Sequence, residues 1–233
     1  MRVTTLNLRG FFDWEQRVDN VLAYLSATDP DLVIFQEVVY LPDVSPVAQP
    51  DIINAALGAA GGEQFAYRHA AITRLQQSPD GAPYREGLAV LSRYPIVASE
   101  AIVLRHEPAD PHNRMVQLID VDVDGVIWKL ANVHLSIRDD YALHHLQEVL
   151  RILDARGEQR VIGGDFNINH LERHAALWRG SYVLSTEVED YVSYEKSGQA
   201  NDYFLVPTAH TIADLSVSAD GLSDHRALTV DLD

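Results

Sequence analysis

The sequence predicts an α/β protein of two packed sheets with helices on the outside. Three observations support this. Short apolar stretches bounded by Gly, Pro, Asn and Asp recur along the whole chain, as strands do. Separate segments carry apolar residues at helical spacing. The run from Tyr84 to Val133 contains several strand candidates with no helical pattern between them. A doubly wound parallel sheet would need a helical crossover after each strand, so that run argues for hairpins.

The elements follow in order. Met1 to Leu8 reads as a strand that stops at Asn7 and Gly10. Asp13, with Gln16 three residues on, has the pattern of a capping box, and Trp14, Val18, Val21, Leu22 and Leu25 then recur at helical spacing up to Asp29-Pro30. Asp31 to Glu37 is a short apolar strand ending in Gln36-Glu37, and the proline-rich 38–50 stretch is expected to be a loop before a helix over 51–60 and a Gly61-Gly62 break. Strands are predicted at 65–75, 87–92, 96–106, 114–122 and 126–134, with a turn-rich loop over 76–83 and a tight hairpin at Asp124-Gly125. A helix over 140–155 places Leu143, Leu146, Leu150 and Leu153 on one face. Arg160 to Gly164 is a strand, 170–178 a short helix, and 202–206, 208–213 and 227–232 are strands. No linker, repeat or low-complexity segment divides the chain, so a single domain over residues 1–233 is expected.

Composition narrows the chemistry. The 233 residues include 18 Lys+Arg against 34 Asp+Glu, a net charge of -16, with 47% apolar residues and no Cys. Such a chain can build a substantial core. The lack of Cys excludes disulfides, zinc-thiolate and iron-sulfur sites, and a thiol nucleophile. A free-standing duplex binder usually presents a basic face, and none is visible here. No apolar run approaches the roughly 20 residues that span a bilayer. The first residues read as a strand, not as a secretory leader, so cytoplasm is the expected compartment.

Polar residues collect at strand ends. Asn7, Glu37, His134, Asp165 with Asn167, and Asp224-His225 each follow an apolar stretch or sit in a turn, and Asp202 opens one. Any one of them alone has an equally good reading as a strand stop or a cap. Together they supply oxygen donors with few imidazoles, a set that suits Mg²⁺ or Mn²⁺ better than zinc.

The blocks Thr5-Leu6-Asn7, Gln36-Glu37, Glu86-Gly87-Leu88, Ser92-Arg93-Tyr94-Pro95, Asn132-Val133-His134-Leu135, Gly163-Gly164-Asp165-Phe166-Asn167, Asn201-Asp202-Tyr203 and Ser223-Asp224-His225 resemble, in order, the endonuclease/exonuclease/phosphatase superfamily. The Gly-Asp-Phe-Asn block with the terminal Ser-Asp-His carries most of the specificity. The resemblance implies a four-layer α/β sandwich of two mostly antiparallel sheets flanked by helices. It also implies a divalent-metal-dependent hydrolase that cleaves a phosphodiester or phosphate ester by in-line attack of water. On that basis Glu37 is the principal metal ligand, with Asn7 beside it and Asp224 a metal-side acid. Asp165 aligns or deprotonates the water and is a candidate second metal contact. Asn167 holds a phosphoryl oxygen, His225 contacts the phosphate and Asp202 fixes His225. His134 is the second histidine, with Glu86 as its partner.

Other residues are weaker candidates. Arg138, Asn132 and Glu86 are possible substrate contacts. Arg114 is expected at an exposed sheet edge, and His144 and His145 are expected as partly exposed helix residues. Tyr182, Tyr191, Tyr194, Tyr203 and Trp178 have a core reading and a base-stacking reading, the first preferred. The negative charge repels DNA at low ionic strength, which favours a small ester or a lipid head group over nucleic acid without excluding nicking. An endodeoxyribonuclease or abasic-site endonuclease is therefore the alternative activity. A non-catalytic binding domain would be expected to have lost one of these acids or imidazoles, and none is missing. A monomer is the default expectation.

Overall fold

The computed structural model describes residues 1–61, 64–77, 83–108, 110 and 112–233. In chain order it contains β1 (Arg2–Asn7), α1 (Trp14–Thr28), β2 (Leu32–Tyr40), α2 (Gln49–Ala59), β3 (Tyr67–Gln77), β4 (Pro83–Ser92), β5 (Ile96–Val103) and β6 (Met115–Val123). There follow β7 (Val126–His134), α3 (Asp139–Ala155), β8 (Val161–Asp165), β9 (Tyr182–Leu184), β10 (Asp202–Pro207), β11 (Ile212–Val217) and β12 (Leu228–Leu232). They form two six-stranded sheets, ordered β11-β12-β1-β2-β4-β3 and β5-β6-β7-β8-β10-β9. Among the described residues the parallel strand neighbours are β1 with β2 and β7 with β8, and α1 and α3 are the crossovers that connect them.

Three apolar layers hold the sandwich together. Between the sheets, Val3, Leu32, Ile34 and Val90 of one meet Ile119, Leu130, Val161 and Phe204 of the other. Outside the first sheet, Val33, Phe35 and Leu91 pack on Val21 and Leu25 of α1 and Ile53 and Leu57 of α2. Outside the second, Val133 and Ile162 pack on Leu146, Val149 and Leu153 of α3. The arrangement is helix, sheet, sheet, helix, as expected from the resemblance. No helix among the described residues is long and apolar enough to cross a membrane.

Several local expectations need correction. Asp13 precedes α1 in a left-handed conformation and makes no side-chain cap bond, so the capping box does not form. The 38–50 stretch is not all loop: β2 runs on to Tyr40 and α2 begins at Gln49. The buried face of α3 is turned to Ala142, His145, Leu146, Val149 and Leu153, leaving Leu143 and Leu150 only partly buried. His145 is therefore a core residue, its Nε2 3.0 Å from the Arg105 carbonyl oxygen. Residues 171–177 form a 3₁₀ helix, β11 begins four residues later than expected, at Ile212, and β9 was not foreseen. The Asp124-Gly125 hairpin is present, with φ of 53° and 89° at its two central residues. Residues 78–82 of the turn-rich 76–83 segment, and Gly62 of the expected break, lie outside the described residues.

Arg114 is the largest reversal. Instead of lying at an exposed edge it is 2% exposed, and its Nε donates to Asp110 Oδ2 at 3.0 Å. Its Nη1 and Nη2 have no hydrogen-bond partner among the described residues. Burial alone would raise the Asp110 carboxyl, but hydrogen bonds from Arg114 and Ser136, the Arg114 charge and the His112 N–H hold it below its ordinary value. A carboxylate depressed in this way contributes stability above the unfolded value near pH ~3.9, and that contribution fades as pH falls through the folded value. Arg114→Met leaves the buried charge alone, which costs on the order of 3–5 kcal/mol at neutral pH. Urea unfolding should show that loss at pH 7 and a smaller one at pH 4, where the stranded carboxyl takes up a proton. An equal loss at both pH values would contradict this reading.

Candidate functional site

The site lies where strand ends of the two sheets meet. In the second sheet, register does the work: His134 on β7 pairs with Asp165 on β8, and Asp165 pairs with Asp202 on β10. Three adjacent strands thus present an imidazole and two carboxylates in one row. Gly164 makes this approach feasible. Its φ is +138°, and a Cβ there would stand 2.1 Å from the Val133 carbonyl oxygen, so the Gly163-Gly164 step before Asp165 is a packing requirement.

In the first sheet, Asn7 pairs with Gln36, and Glu37 follows at a β-bulge where the register to β4 shifts between Phe35 and Val38. Glu37 has φ 50°, an uncommon value for a non-glycine residue. Such a conformation costs about 1–3 kcal/mol and persists only when its surroundings enforce it. Here the bulge turns the Glu37 side chain toward the other sheet.

Asn7 joins the two halves. Its Nδ2 donates to Glu37 Oε1 at 3.2 Å and to Asp165 Oδ2 at 3.0 Å. Its Oδ1 accepts the Arg9 N–H at 2.9 Å, so the amide nitrogen faces the acids. Two metal-suitable groups result, Glu37 with Glu86 and His134, and Asp165 with Asp202 and His225. His134 Nε2 stands between them, 3.6 Å from Asp165 Oδ2 and 3.9 Å from Glu37 Oε1.

Burial sets the electrostatics. Asp165 is 1% exposed. Its enclosure raises its pKa, the His225 charge opposes this, and the nearby Asp202 and Glu37 charges raise it further, to about 7. His225 Nδ1 lies 2.8 Å from Asp202 Oδ2, and His225 Nε2 lies 3.8 Å from Asp165 Oδ2. Burial disfavours the imidazolium, but the Asp202 and Asp165 charges and the Asp202 hydrogen bond outweigh it and push His225 up to about 10. Metal-suitable acids crowded around an enclosed carboxyl are a donor set that a divalent cation would relieve, and their hard oxygens fit Mg²⁺ or Mn²⁺.

The remaining candidates divide. Asn167 joins the site: its N–H donates to Asp165 Oδ1 at 3.0 Å, its φ is 53°, and its Nδ2 donates to the Leu135 carbonyl at 3.3 Å. Asp224 lies beside the site but outside both groups. Lys196 Nζ at 2.9 Å and Arg9 Nε at 3.3 Å hold its carboxylate, and with the His225 charge they depress its pKa against the effect of burial. Asn132 is fully buried and cannot touch a substrate. It accepts from Gln36 Nε2 at 2.8 Å and donates to the Phe35 and Ala89 carbonyls at 3.1 and 3.2 Å. Arg138 is exposed, 3.4 Å from Asp140 Oδ1 and with its guanidinium 4.7 Å from the Tyr141 ring centroid. Trp178, Tyr182 and Tyr203 are core residues, whereas the Tyr194 ring lies 4.7 Å from that of His225.

Sequence reasoning missed Arg9, Lys196 and, most of all, Ser193, and it preferred a core reading for Tyr194, whose ring stands against His225. Fully buried Ser193 donates from Oγ to Asp202 Oδ2 at 2.7 Å and accepts the N–H groups of Asn201 and Asp202 at 2.9 Å each. A serine in a segment with neither helical nor strand period gives no signal that it will stand behind a carboxylate. Ser193→Ala strands two buried N–H donors and removes a donor to Asp202, so urea unfolding at pH 7 should show a loss of about 1–3 kcal/mol. A change below ~0.5 kcal/mol, the range of an ordinary surface substitution, would contradict this role.

Comparison with known proteins bears on the fold and the family. No curated protein matches the chain. Among solved structures, the chain is similar over its full length to an endonuclease/exonuclease/phosphatase from Beutenbergia cavernae (22% identity, 71% of that chain, TM-score 0.73). It is also similar to sphingomyelinase C from Streptomyces griseocarneus (18% identity, 99% of this chain and 98% of that one, TM-score 0.69). A third is D. rerio TDP2 complexed with a single-strand DNA product (15% identity, 100% and 98%, TM-score 0.69). At these identities the likeness establishes the fold alone. The family model for the endonuclease/exonuclease/phosphatase family matches residues 4–225, and the chain belongs to that family.

Proposed function

We propose that this protein is a Mg²⁺- or Mn²⁺-dependent hydrolase of a phosphate ester, acting on a phosphodiester by single-step, in-line attack of water. The observation that carries the reading is the Asn7 bridge. It sets the Glu37, Glu86 and His134 group against the Asp165, Asp202 and His225 group, within reach of one phosphoryl centre.

Glu37, with Glu86 and His134 close by and Asn7 alongside, would hold the cation. Bound there, the ion would neutralise phosphoryl charge and ease departure of the leaving oxygen. The chain's own groups supply the rest. Asp165, enclosed and shifted to about 7, is suited to orient the attacking water and take its proton near neutral pH. His225, held as an imidazolium by Asp202, donates from Nε2 to a phosphoryl oxygen as charge develops in the transition state. Asn167 exchanges its bond to the Leu135 carbonyl for a second phosphoryl oxygen. His134, with Nε2 3.6 Å from Asp165 Oδ2, would protonate the leaving oxygen. The phosphorus–oxygen bond to the leaving group breaks as the bond to water oxygen forms, and no covalent enzyme intermediate is needed.

The substrate follows less directly from these residues. The net charge of -16 favours a small ester or a lipid head group over a polynucleotide. The test uses bis(p-nitrophenyl) phosphate with Mg²⁺ or Mn²⁺, with EDTA, and in Asp165→Ala and His225→Ala. Turnover should need the metal and fall about 10²–10⁴-fold in either variant, the range for a lost acid–base or charge-stabilising group. Metal-independent turnover, or near-wild-type rates in both variants, would sink the reading.

A further inference from the structure

A cleft of about 410 Å³ opens directly beside Glu37 and Glu86. That volume lies within the range of small-molecule sites, roughly 300–1,000 Å³. Its walls are apolar: Phe11, Phe12, Val39, Leu41, Val44 and Tyr84. Phe12 and Val44 are 57% and 58% exposed, unusual for large apolar side chains placed next to a cluster of acids. Arg9 is the only cation lining the cleft among the described residues. It is already engaged, its guanidinium 4.0 Å from the Phe12 ring centroid and its Nε 3.3 Å from Asp224 Oδ2.

The walls are held in place by buried polar groups. Arg17, 7% exposed, donates to the carbonyls of Leu8 at 3.0 Å, Gly10 at 3.2 Å and Phe12 at 2.6 Å, and so fixes the loop that carries Phe11 and Phe12. Gln49, fully buried, ties the same loop to β2, donating to the Gly10 carbonyl at 2.6 Å and accepting the Val39 N–H at 3.3 Å. Gly10, with φ +50°, lets the loop lie against Val39, whose Cγ2 would stand 2.7 Å from any Cβ there. A loop already fixed in this way lowers the ordering cost of association.

We propose that this cleft binds an apolar substituent of the phosphate ester, of about the size of an aromatic ring, while the phosphoryl group lies against Glu37 and its neighbours. The inference rests on the hydrolase reading and names the substrate class within it: a small phosphodiester with at least one apolar ester group. Continuity supplies the argument, because Glu37 and Glu86 belong both to the cleft lining and to the metal-suitable group with His134. An ester substituent leaving that centre on the Glu37 side enters an open cleft with apolar walls. A polyanionic strand following the same path would meet aliphatic and aromatic side chains and one neutralised arginine. Two acyl chains would not fit a space of this size.

The test compares diphenyl phosphate with dimethyl phosphate, each titrated into the Mg²⁺-loaded protein and followed by NMR chemical-shift changes. Wild type should bind the diphenyl ester at least about tenfold more tightly, the scale on which a pocket discriminates by apolar contact. Leu41→Asn and Val44→Asn should each reduce that ratio to within about threefold. Val44 is exposed, so the second variant keeps the test valid if the first folds poorly. Equal affinities in wild type, failure of diphenyl phosphate to bind, or a ratio unchanged in both variants would overturn the proposal. So would adsorption to phosphatidylcholine vesicles that Val44→Asn abolishes, with no preference between the soluble esters, because the apolar rim would then be a membrane contact. Turnover of bis(p-nitrophenyl) phosphate without the diphenyl preference removes the cleft proposal and keeps the hydrolase. A preference without turnover does the reverse for the hydrolase and leaves the cleft as a binding site.

Discussion

Asn7 is the residue on which the architecture of the site turns. It ends β1 of one sheet, and its amide nitrogen reaches Glu37 on the same sheet and Asp165 on the other. Without such a donor, Glu37 and Asp165 would face each other as like charges around an enclosed space. One neutral amide separates them and gives each a hydrogen bond. Asp165 still sits well above its ordinary value because one amide cannot offset full burial and two further acids.

The sheets are kept in register beneath the site by a second set of buried polar contacts. Gln36 bonds Thr5 and Asn132, and Asn132 reaches the Phe35 and Ala89 carbonyls and, at 3.3 Å, Gln117 Oε1. Thr5, Gln36 and Ala89 belong to one sheet, and Asn132 and Gln117 to the other. An apolar interface tolerates small sliding, whereas a hydrogen-bonded polar network between sheets has few acceptable registers. The same strategy recurs around the apolar cleft, where Arg17 and Gln49 direct their polar ends at loop carbonyls. Buried polarity here fixes position, and the apolar layers supply the bulk of the stabilisation.

Much of this was legible in the sequence, for a physical reason. Buried strands must be apolar, so a strand that ends in Asn, Glu, His or Asp marks the place where the sheet edge meets solvent and chemistry. That pattern located Glu37, His134, Asp165 and Asp202 without any structure, and the hairpin from β6 to β7 was visible in Asp124-Gly125. What stayed hidden depends on three-dimensional placement. Ser193 has no periodic context, and Arg114 looks like any edge arginine until Asp110 folds over it. The Asn132 side chain reads as a site residue because His134 shares its face of β7, but Asn132 lies two residues deeper, in the interface between the sheets, while His134 reaches the edge. The rotation of α3 that buries His145 depends on which helical face the second sheet selects. Asp224 was readable as an acid near the site, but its pairing with Lys196 and Arg9 joins residues distant in sequence.

The central claim is that Glu37 and its neighbours from two sheets gather around one divalent cation. Anomalous diffraction from crystals equilibrated with Mn²⁺ tests it most directly. The strongest manganese peak should lie within coordinating distance of a Glu37 carboxylate oxygen, on the side facing Asp165, and Glu37→Gln should abolish or greatly weaken it. A peak confined to other surface acids, or one unchanged in that variant, would contradict the account.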